Sequence, residues 1–239
     1  MLPIHILYDP DIQIAEEIAI SSGISELLQL VPGRRAWNAR PFTWMANHYL
    51  AAGQYISRAQ MVVRPRRPLQ LDADDLLDIT IKGLQAQSTP SINILVTSYD
   101  LTAQQDGEYL EYVFGAIRGL TAVQSVARCR NLPAPEHTLV IRSMVQHQLG
   151  HILGMADDQF WDTSKQGQLW GTSEYNPYKA LSRGYEVPEY NLGPHCISPG
   201  CIMRDANDLD EWAQHARESY YMDTAYCPFC IRDAQALGL

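Results

Sequence analysis

The chain has 239 residues and a formal net charge of −9, with 27 acidic and 18 basic side chains. This acidic balance argues against nucleic acid as a partner, because a phosphate backbone attracts a positively charged surface. Hydrophobic residues make up 46% of the chain, which is enough for a sizeable core and argues against global disorder.

The N-terminal segment predicts a first strand rather than a targeting signal. Residues 1–9 lack the basic start and the cleavage site of a secretory signal. No apolar run in the sequence is long enough to span a bilayer. We therefore expect a cytoplasmic protein without a membrane partner.

Hydrophobic periodicity and turn residues predict a mixture of strands and helices. The predicted strands cover residues 3–8, 60–63, 92–97, 112–116 and 122–127. The predicted helices cover residues 11–30 (with a possible break at Ser21-Ser22-Gly23), 42–58 and 73–87, and a long one from near His137 or Thr138 to Gly154. This pattern indicates one α/β (α+β) domain over residues 1–239, with strands that precede a long helix.

Residues 158–194 differ in character, since tryptophans and tyrosines stand there among polar and turn residues. A loop of this length is usually either functional or disordered. One interpretation is a lid or a recognition surface, for which tyrosine and tryptophan are well suited. The other is an ordinary insertion whose aromatic side chains pack on their own neighbours.

The most informative segment lies at the end of the long helix, where His147 and His151 stand four residues apart. Histidines at this spacing lie on one face of a helix, so both imidazoles can reach one metal ion. Gly154 follows three residues later and can turn the chain back toward that ion. Two histidines buried in a core would also explain the pair, but the added glycine favours a zinc site.

Two side chains compete to be the third zinc ligand. Asp157 stands three residues beyond Gly154, where a short turn would deliver its carboxylate. His195 is the alternative, but the long segment 158–194 has to return it to the site. The spacing favours Asp157.

Residue 148 decides what chemistry such a site can perform. In a working metallopeptidase of this pattern, a glutamate follows the first histidine and acts as general base on the metal-bound water. Here the residue is Gln148, whose amide cannot take up a proton at neutral pH. Loss of a general base costs about 10²–10⁴-fold in rate. Gln148 is either the natural residue or a near-isosteric substitution introduced to stop cleavage.

A second metal site is indicated by two pairs of cysteines in the C-terminal segment. These are Cys196, Cys201, Cys227 and Cys230. Four thiolates in a tetrahedral array form a closed structural zinc site, and in a reducing cytosol this is more common than a disulfide framework. The fifth cysteine, Cys129, is interpreted as a small buried hydrophobic residue.

These motifs together resemble the archaemetzincins, whose pattern is HExxHxxGxxHC, then CxM, then CxxC. Residues 75–239 carry the resemblance, with Gln148 in place of the glutamate and an insertion before His195. The resemblance implies a metzincin-like zincin fold, with a mixed twisted sheet and an active-site helix in an upper part at 1–154. The lower part, at 155–239, would carry a zinc-stapled subdomain and a methionine turn at Met203. Two zinc ions are implied, one catalytic and one structural.

Three functions follow as hypotheses. The resemblance implies a zinc metallopeptidase that acts on peptides or proteins and is impaired by Gln148. The alternative is a natural pseudo-peptidase that binds peptide or protein without cleaving it. A zinc-ribbon adaptor with the cysteine site alone is the third, although the acidic residues after Met203 argue against nucleic-acid binding.

Overall fold

A five-stranded mixed sheet is the centre of the fold. The structure is a computed structural model that describes residues 3–30, 38–39, 52–62, 69–84, 91–105, 107–155, 195–196, 200–204, 206, 208–221, 225–228, 230–231 and 234. The strand order is β2 (Asn38–Ala39), β1 (Pro3–Tyr8), β5 (Ile92–Thr97), β10 (Thr121–Ser125) and β9 (Gly115–Arg118). All neighbouring strands are parallel except β9, which pairs antiparallel to β10 at the edge of the sheet.

Smaller sheets and several helices surround this sheet. One small sheet contains β3 (Met61–Val62), β4 (Gln70–Asp72) and β6 (Leu101–Thr102), and a hairpin contains β7 (Gln104–Gln105) and β8 (Glu108–Tyr109). The helices are α1 (Ile14–Leu30), α2 (52–56), α3 (Ala73–Leu84), α4 (Ala134–Ile152) and α5 (Leu209–Tyr220). No helix in the described ranges has both the length and the apolar character needed to cross a bilayer.

The two faces of the central sheet bury different cores. On one face, Ile94 and Val96 of β5 pack with apolar residues of α1, α4 and α5. On the other face, Leu95 packs with Val123 of β10 and with α3. Because side chains alternate along a strand, one continuous apolar run supplies both cores. This arrangement places α4, with its two histidines, between the sheet and α5.

Helix α1 runs without a break, so the predicted interruption at Ser21-Ser22-Gly23 is wrong. Gly23 instead permits the close approach of α1 to α4. A Cβ on Gly23 would lie 2.8 Å from the carbonyl oxygen of Arg142 and 2.9 Å from the side chain of Val145. The glycine is therefore a packing residue inside a helix, where tertiary contact outweighs its low helix propensity.

The other predicted elements agree with the structure to different extents. The strands at 3–8 and 92–97 are confirmed with the same bounds. The strand predicted at 112–116 begins only at Gly115, because the backbone N–H of Val113 donates to the carbonyl of Leu101 outside the central sheet. Of the helix predicted at 42–58, residues 42–51 lie outside the described residues. The aromatic segment 158–194 also lies outside them, and the division of one domain at residue 154 stays a prediction.

Helix α5 was not predicted, although its sequence carries clear signals. The Asp208 carboxylate caps the helix by accepting a 2.9 Å hydrogen bond from the N–H of Glu211. Its buried residues include Trp212, Ala213 and Ala216, which have helical spacing. This helix completes the core beneath α4.

Candidate metal centres

The last turns of α4 carry the two histidines expected to bind a metal. The helix begins at Ala134, three residues before the predicted start, because a proline in the first turn needs no hydrogen-bond acceptor there. After its end at Ile152, Gly154 adopts φ +73°. Its N–H donates to the His151 carbonyl at 2.8 Å, which turns the chain away from the helix axis.

The His147 ring is fixed by a hydrogen bond to the backbone. Its Nδ1 donates to the carbonyl oxygen of Ile202 at 2.8 Å. A carbonyl can only accept, so Nδ1 carries the proton and Nε2 keeps its lone pair. That Nε2 lies 2.9 Å from Nε2 of His151. The two Nε2 atoms therefore lie close together on one side of the helix, as two ligands of a common ion must.

His195 joins this pair from a distant part of the chain. Its ring centroid lies 5.3 Å from that of His147 and 5.2 Å from that of His151. One nitrogen from each of the three rings lies within 4.8 Å of the others. Asp157, the ligand favoured by spacing, lies outside the described residues. The structure thus brings together the alternative third ligand and the helical pair.

Burial keeps the two helical imidazoles neutral. It lowers the pKa of His147 to about 3, with a further reduction from the neighbouring His195. The pKa of His151 is also well below its ordinary value, chiefly through burial and then through His147. A neutral imidazole is the form that binds a metal, so the site is prepared for a cation.

The three rings have the donor chemistry and spacing that zinc requires. Zinc–nitrogen bonds of 2.0–2.1 Å imply ligand nitrogens roughly 3.3 Å apart in a tetrahedron. The 2.9 Å separation between the Nε2 atoms of His147 and His151 is close to this value. His147 is buried, whereas His151 and His195 are partly exposed, so the site opens to solvent on one side.

Gln148 lies beside this group with part of its amide unsatisfied. The residue is only 7% exposed, and its Oε1 is buried without a hydrogen-bond partner among the described residues. Its Nε2 lies toward edge strand β9, where a Cβ on Gly115 would be 3.0 Å away. The glycine therefore leaves the space that the Gln148 side chain occupies. A buried polar atom without a partner is unusual in proteins.

An aromatic row that sequence reasoning missed supports the His147 ring. Trp212 of α5 packs edge-on against His147, with centroids 5.0 Å apart and an interplanar angle of 79°. Phe114, just before β9, packs edge-on against Trp212 at 6.1 Å. The Trp212 Nε1 is buried and has no hydrogen-bond partner in the described ranges. The spacing within α5 could have revealed Trp212 as buried, but not its contact with a histidine.

A second unsatisfied glutamine lies on the sheet below. Gln124 of β10 is fully buried, and both atoms of its amide lack a hydrogen-bond partner within the described part of the chain. It is paired in register with Gly115 of β9. Gln124, Gln148 and Trp212 thus place four unpartnered polar atoms in the layer between the sheet, α4 and α5.

The four C-terminal cysteines form the second group. Their Sγ atoms all lie within 4.8 Å of one another. The Cys196–Cys227 separation is 3.7 Å and the Cys201–Cys230 separation is 3.8 Å. Zinc–sulfur bonds of about 2.3 Å predict sulfur atoms roughly 3.8 Å apart in a tetrahedron, so these thiols fit a zinc ion well. Burial raises the pKa of Cys201 well above its ordinary value, so a cation is needed to stabilise its thiolate.

The backbone joins the cysteine group to the histidine group. The N–H of Cys227 donates to Sγ of Cys201 at 3.4 Å, and the N–H of Cys196 donates to the Met203 carbonyl at 2.7 Å. Ile202 lies between Cys201 and Met203, and its carbonyl accepts the hydrogen bond from His147. The Met203 sulfur occupies the space where a side chain on Gly150 would project. Met203 therefore packs directly against the helical turn between the two histidines.

Comparison with known proteins agrees with this architecture. No protein-family model matches the sequence, and neither does any curated protein. The archaemetzincin from Methanopyrus kandleri is similar in structure, with a TM-score of 0.52 and 18% identity over 98% of this chain and 93% of that one. The archaemetzincin from Archaeoglobus fulgidus matches with a TM-score of 0.49 and 14% identity, over 97% of this chain and 99% of that one. The chain has the mixed α/β fold of an archaemetzincin, which confirms the predicted fold class and the predicted resemblance.

Proposed function

We propose that this protein uses a zinc metallopeptidase scaffold of the archaemetzincin type to bind peptides or proteins. The observation that carries the proposal is the convergence of three imidazoles from His147, His151 and His195, with His147 oriented by the Ile202 carbonyl. These three rings would hold the ion. A zinc ion bound there would act as a Lewis acid on a peptide carbonyl.

The peptide would bind along the outer edge of β9, with which no other described strand pairs. This strand ends the central sheet, and its outer backbone groups can pair with an extended chain. Arg118, at the far end of the strand, forms a surface ion pair with Asp78 of α3. Gly115, at the near end, adjoins Gln148. A peptide added here would run past the metal-binding histidines.

Gln148 limits what the site does with a bound peptide. Its amide can orient a water molecule or a ligand, but it cannot accept the proton that hydrolysis releases. Without that general base, turnover should be about 10²–10⁴-fold slower than with glutamate. The second candidate function is therefore a pseudo-peptidase that binds without cleaving. The identity of residue 148 favours it, because the site keeps three possible metal ligands but has an amide at the position of the general base.

We also propose that the four cysteines hold a second, structural zinc ion. The Sγ separations of 3.7 Å and 3.8 Å match thiolates that share a zinc ion and are much longer than a disulfide bond. Such a group persists where thiols stay reduced, which supports the cytoplasm as the location.

Restoring glutamate tests the proposed chemistry. The zinc-loaded Gln148→Glu variant should cleave peptides about 10²–10⁴-fold faster than the parent chain, and a chelator should abolish the gain. Gln54→Glu is the matched control, since this exposed residue lies in α2, which packs on the other face of the sheet. If Gln148→Glu binds zinc on the histidines but cleaves nothing, the pseudo-peptidase remains and the peptidase is wrong. One zinc per chain, held by cysteines alone, would favour an adaptor and overturn both.

A further inference from the structure

We propose that the preferred ligand of this site is the free C-terminal carboxylate of a peptide, bound beside the histidines with Gln148 as a hydrogen-bond donor. The inference rests on the proposed function, because it assumes a zinc ion on the three imidazoles. It adds the class of ligand and gives Gln148 a positive role.

An amide at position 148 suits a carboxylate ligand better than a glutamate would. A glutamate there would carry a negative charge and repel a ligand carboxylate at close range. The Gln148 amide is neutral, has nearly the same shape, and supplies N–H donors. Its Nε2 adjoins Gly115, and its Oε1 is buried with no partner in the part of the chain that the structure describes. A half-turn of the amide exchanges these ends, so a donor can take the unsatisfied position at little steric cost.

The described residues of the histidine group bring no negative charge to the site. Two groups of possible metal ligands occur among the described residues, and no carboxylate belongs to either. The group formed by His147, His151 and His195 contains only imidazoles, which are neutral when they bind a metal. The charge of a divalent cation bound by these three rings is therefore not neutralised by any of them. An anionic ligand is the natural complement of such a site.

Hydrogen-bond donors without an acceptor among the described residues lie in the layer around His147. The indole N–H of Trp212 is buried, without an acceptor in the described ranges, on a ring that touches His147. The amide of Gln124 is equally unsatisfied in the layer beneath β9. Buried polar atoms of this kind cost roughly 1–3 kcal/mol each when they stay unpaired. A carboxylate oxygen is the kind of acceptor that such donors lack.

The edge strand explains why a peptide should carry the carboxylate. A chain added antiparallel to β9 can use several main-chain hydrogen bonds, and its C-terminal end would then reach Gly115 and Gln148. A terminal carboxylate takes the place that a scissile carbonyl takes in an active enzyme. The geometry that serves cleavage in a peptidase thus serves the binding of a peptide end here.

Affinity selection on the zinc-loaded full chain tests this inference. The probe is a pool of N-acetylated hexapeptides made both as free acids and as C-terminal amides, with mass spectrometry to measure the ratio retained. The acids should be enriched about 10–100-fold over the amides, as expected for a hydrogen bond to a charged group. Gln148→Glu should remove that preference, while Gln54→Glu should keep it. Gln148→Met, which has no charge and no N–H donor, should lower acid binding by about tenfold.

Two outcomes would overturn the inference, and a third would count against the proposed function. Equal retention of acids and amides by zinc-loaded protein overturns it and leaves the proposed function intact. Displacement of the acids by acetate, at the concentration of the peptides, would show a site for small carboxylates and overturn the peptide part. Absence of zinc from the histidines, measured before the selection, counts against the proposed function itself.

Discussion

Replacement of Cys230 by serine should weaken zinc binding at the histidines, although Cys230 belongs to the other metal group. The serine removes one thiolate from a cluster whose sulfur atoms lie 3.7–3.8 Å apart in pairs. The short segment that carries Cys201 also carries Ile202, whose carbonyl orients His147 at 2.8 Å. Loss of the cysteine-bound ion frees this segment, so the His147 ring loses its fixed orientation.

The size of the effect follows from the contact that is lost. An outer hydrogen-bond partner of a metal-binding histidine is worth about 10–100-fold in metal affinity. We therefore expect the histidine site of Cys230→Ser to bind zinc about 10–100-fold more weakly. Overall stability should fall as well, because structural zinc contributes about 10–16 kcal/mol and a whole domain is stable by only about 5–15 kcal/mol.

Cobalt substitution and metal-competition titration provide the assay. Thiolate and imidazole sites absorb differently when they hold cobalt, so each site is titrated separately. Cys129→Ser is the control, since it makes the same chemical change at a buried thiol outside both groups. His151→Ala should leave the cysteine site filled, because no cysteine depends on that ring for its orientation. Unchanged affinity at the histidines of Cys230→Ser, with the cysteine site empty and the chain folded, would refute the coupling.

Three further predictions concern single residues. His195→Ala should release the zinc ion of the histidine site while Asp157→Ala retains it, measured as zinc per chain; the opposite result would make Asp157 the third ligand. Gly115→Val should destabilise the chain by about 1–3 kcal/mol in denaturant unfolding, because its side chain would meet the backbone of the neighbouring strand, and an unchanged midpoint would contradict the described packing. Burial is the largest influence on Glu16 and raises its pKa, but the hydrogen bonds from Arg130 and from the N–H of Gln13, together with nearby positive charge, outweigh burial and lower the pKa below 4.5. The stability that Glu16 contributes is therefore complete above pH 4.5 and is lost as the pH falls through the lowered value; Glu16→Gln should cost about 1.5–3 kcal/mol at neutral pH and flatten this acid dependence.

The sequence by itself determined the features that depend on local spacing. Two histidines four residues apart must share a helix face, and the structure places their Nε2 atoms 2.9 Å apart. The short run at 92–97, rich in β-branched residues, predicted a buried strand, and the structure has one with the same bounds. The Asp208 cap and the apolar spacing after it were equally readable, and α5 could have been predicted from them.

Only the tertiary structure decided which distant residues meet. It brought His195 to the helical pair, placed Trp212 against His147, and set Gly115 beside Gln148. It also showed that Gly23 serves helix packing and does not break a helix. Local rules reach about one helical turn or one strand pleat, because they depend on bonds along the chain. Contacts between separate elements depend on how whole faces pack against one another. The spacing of residues along the sequence therefore does not give the distance between two residues on different elements.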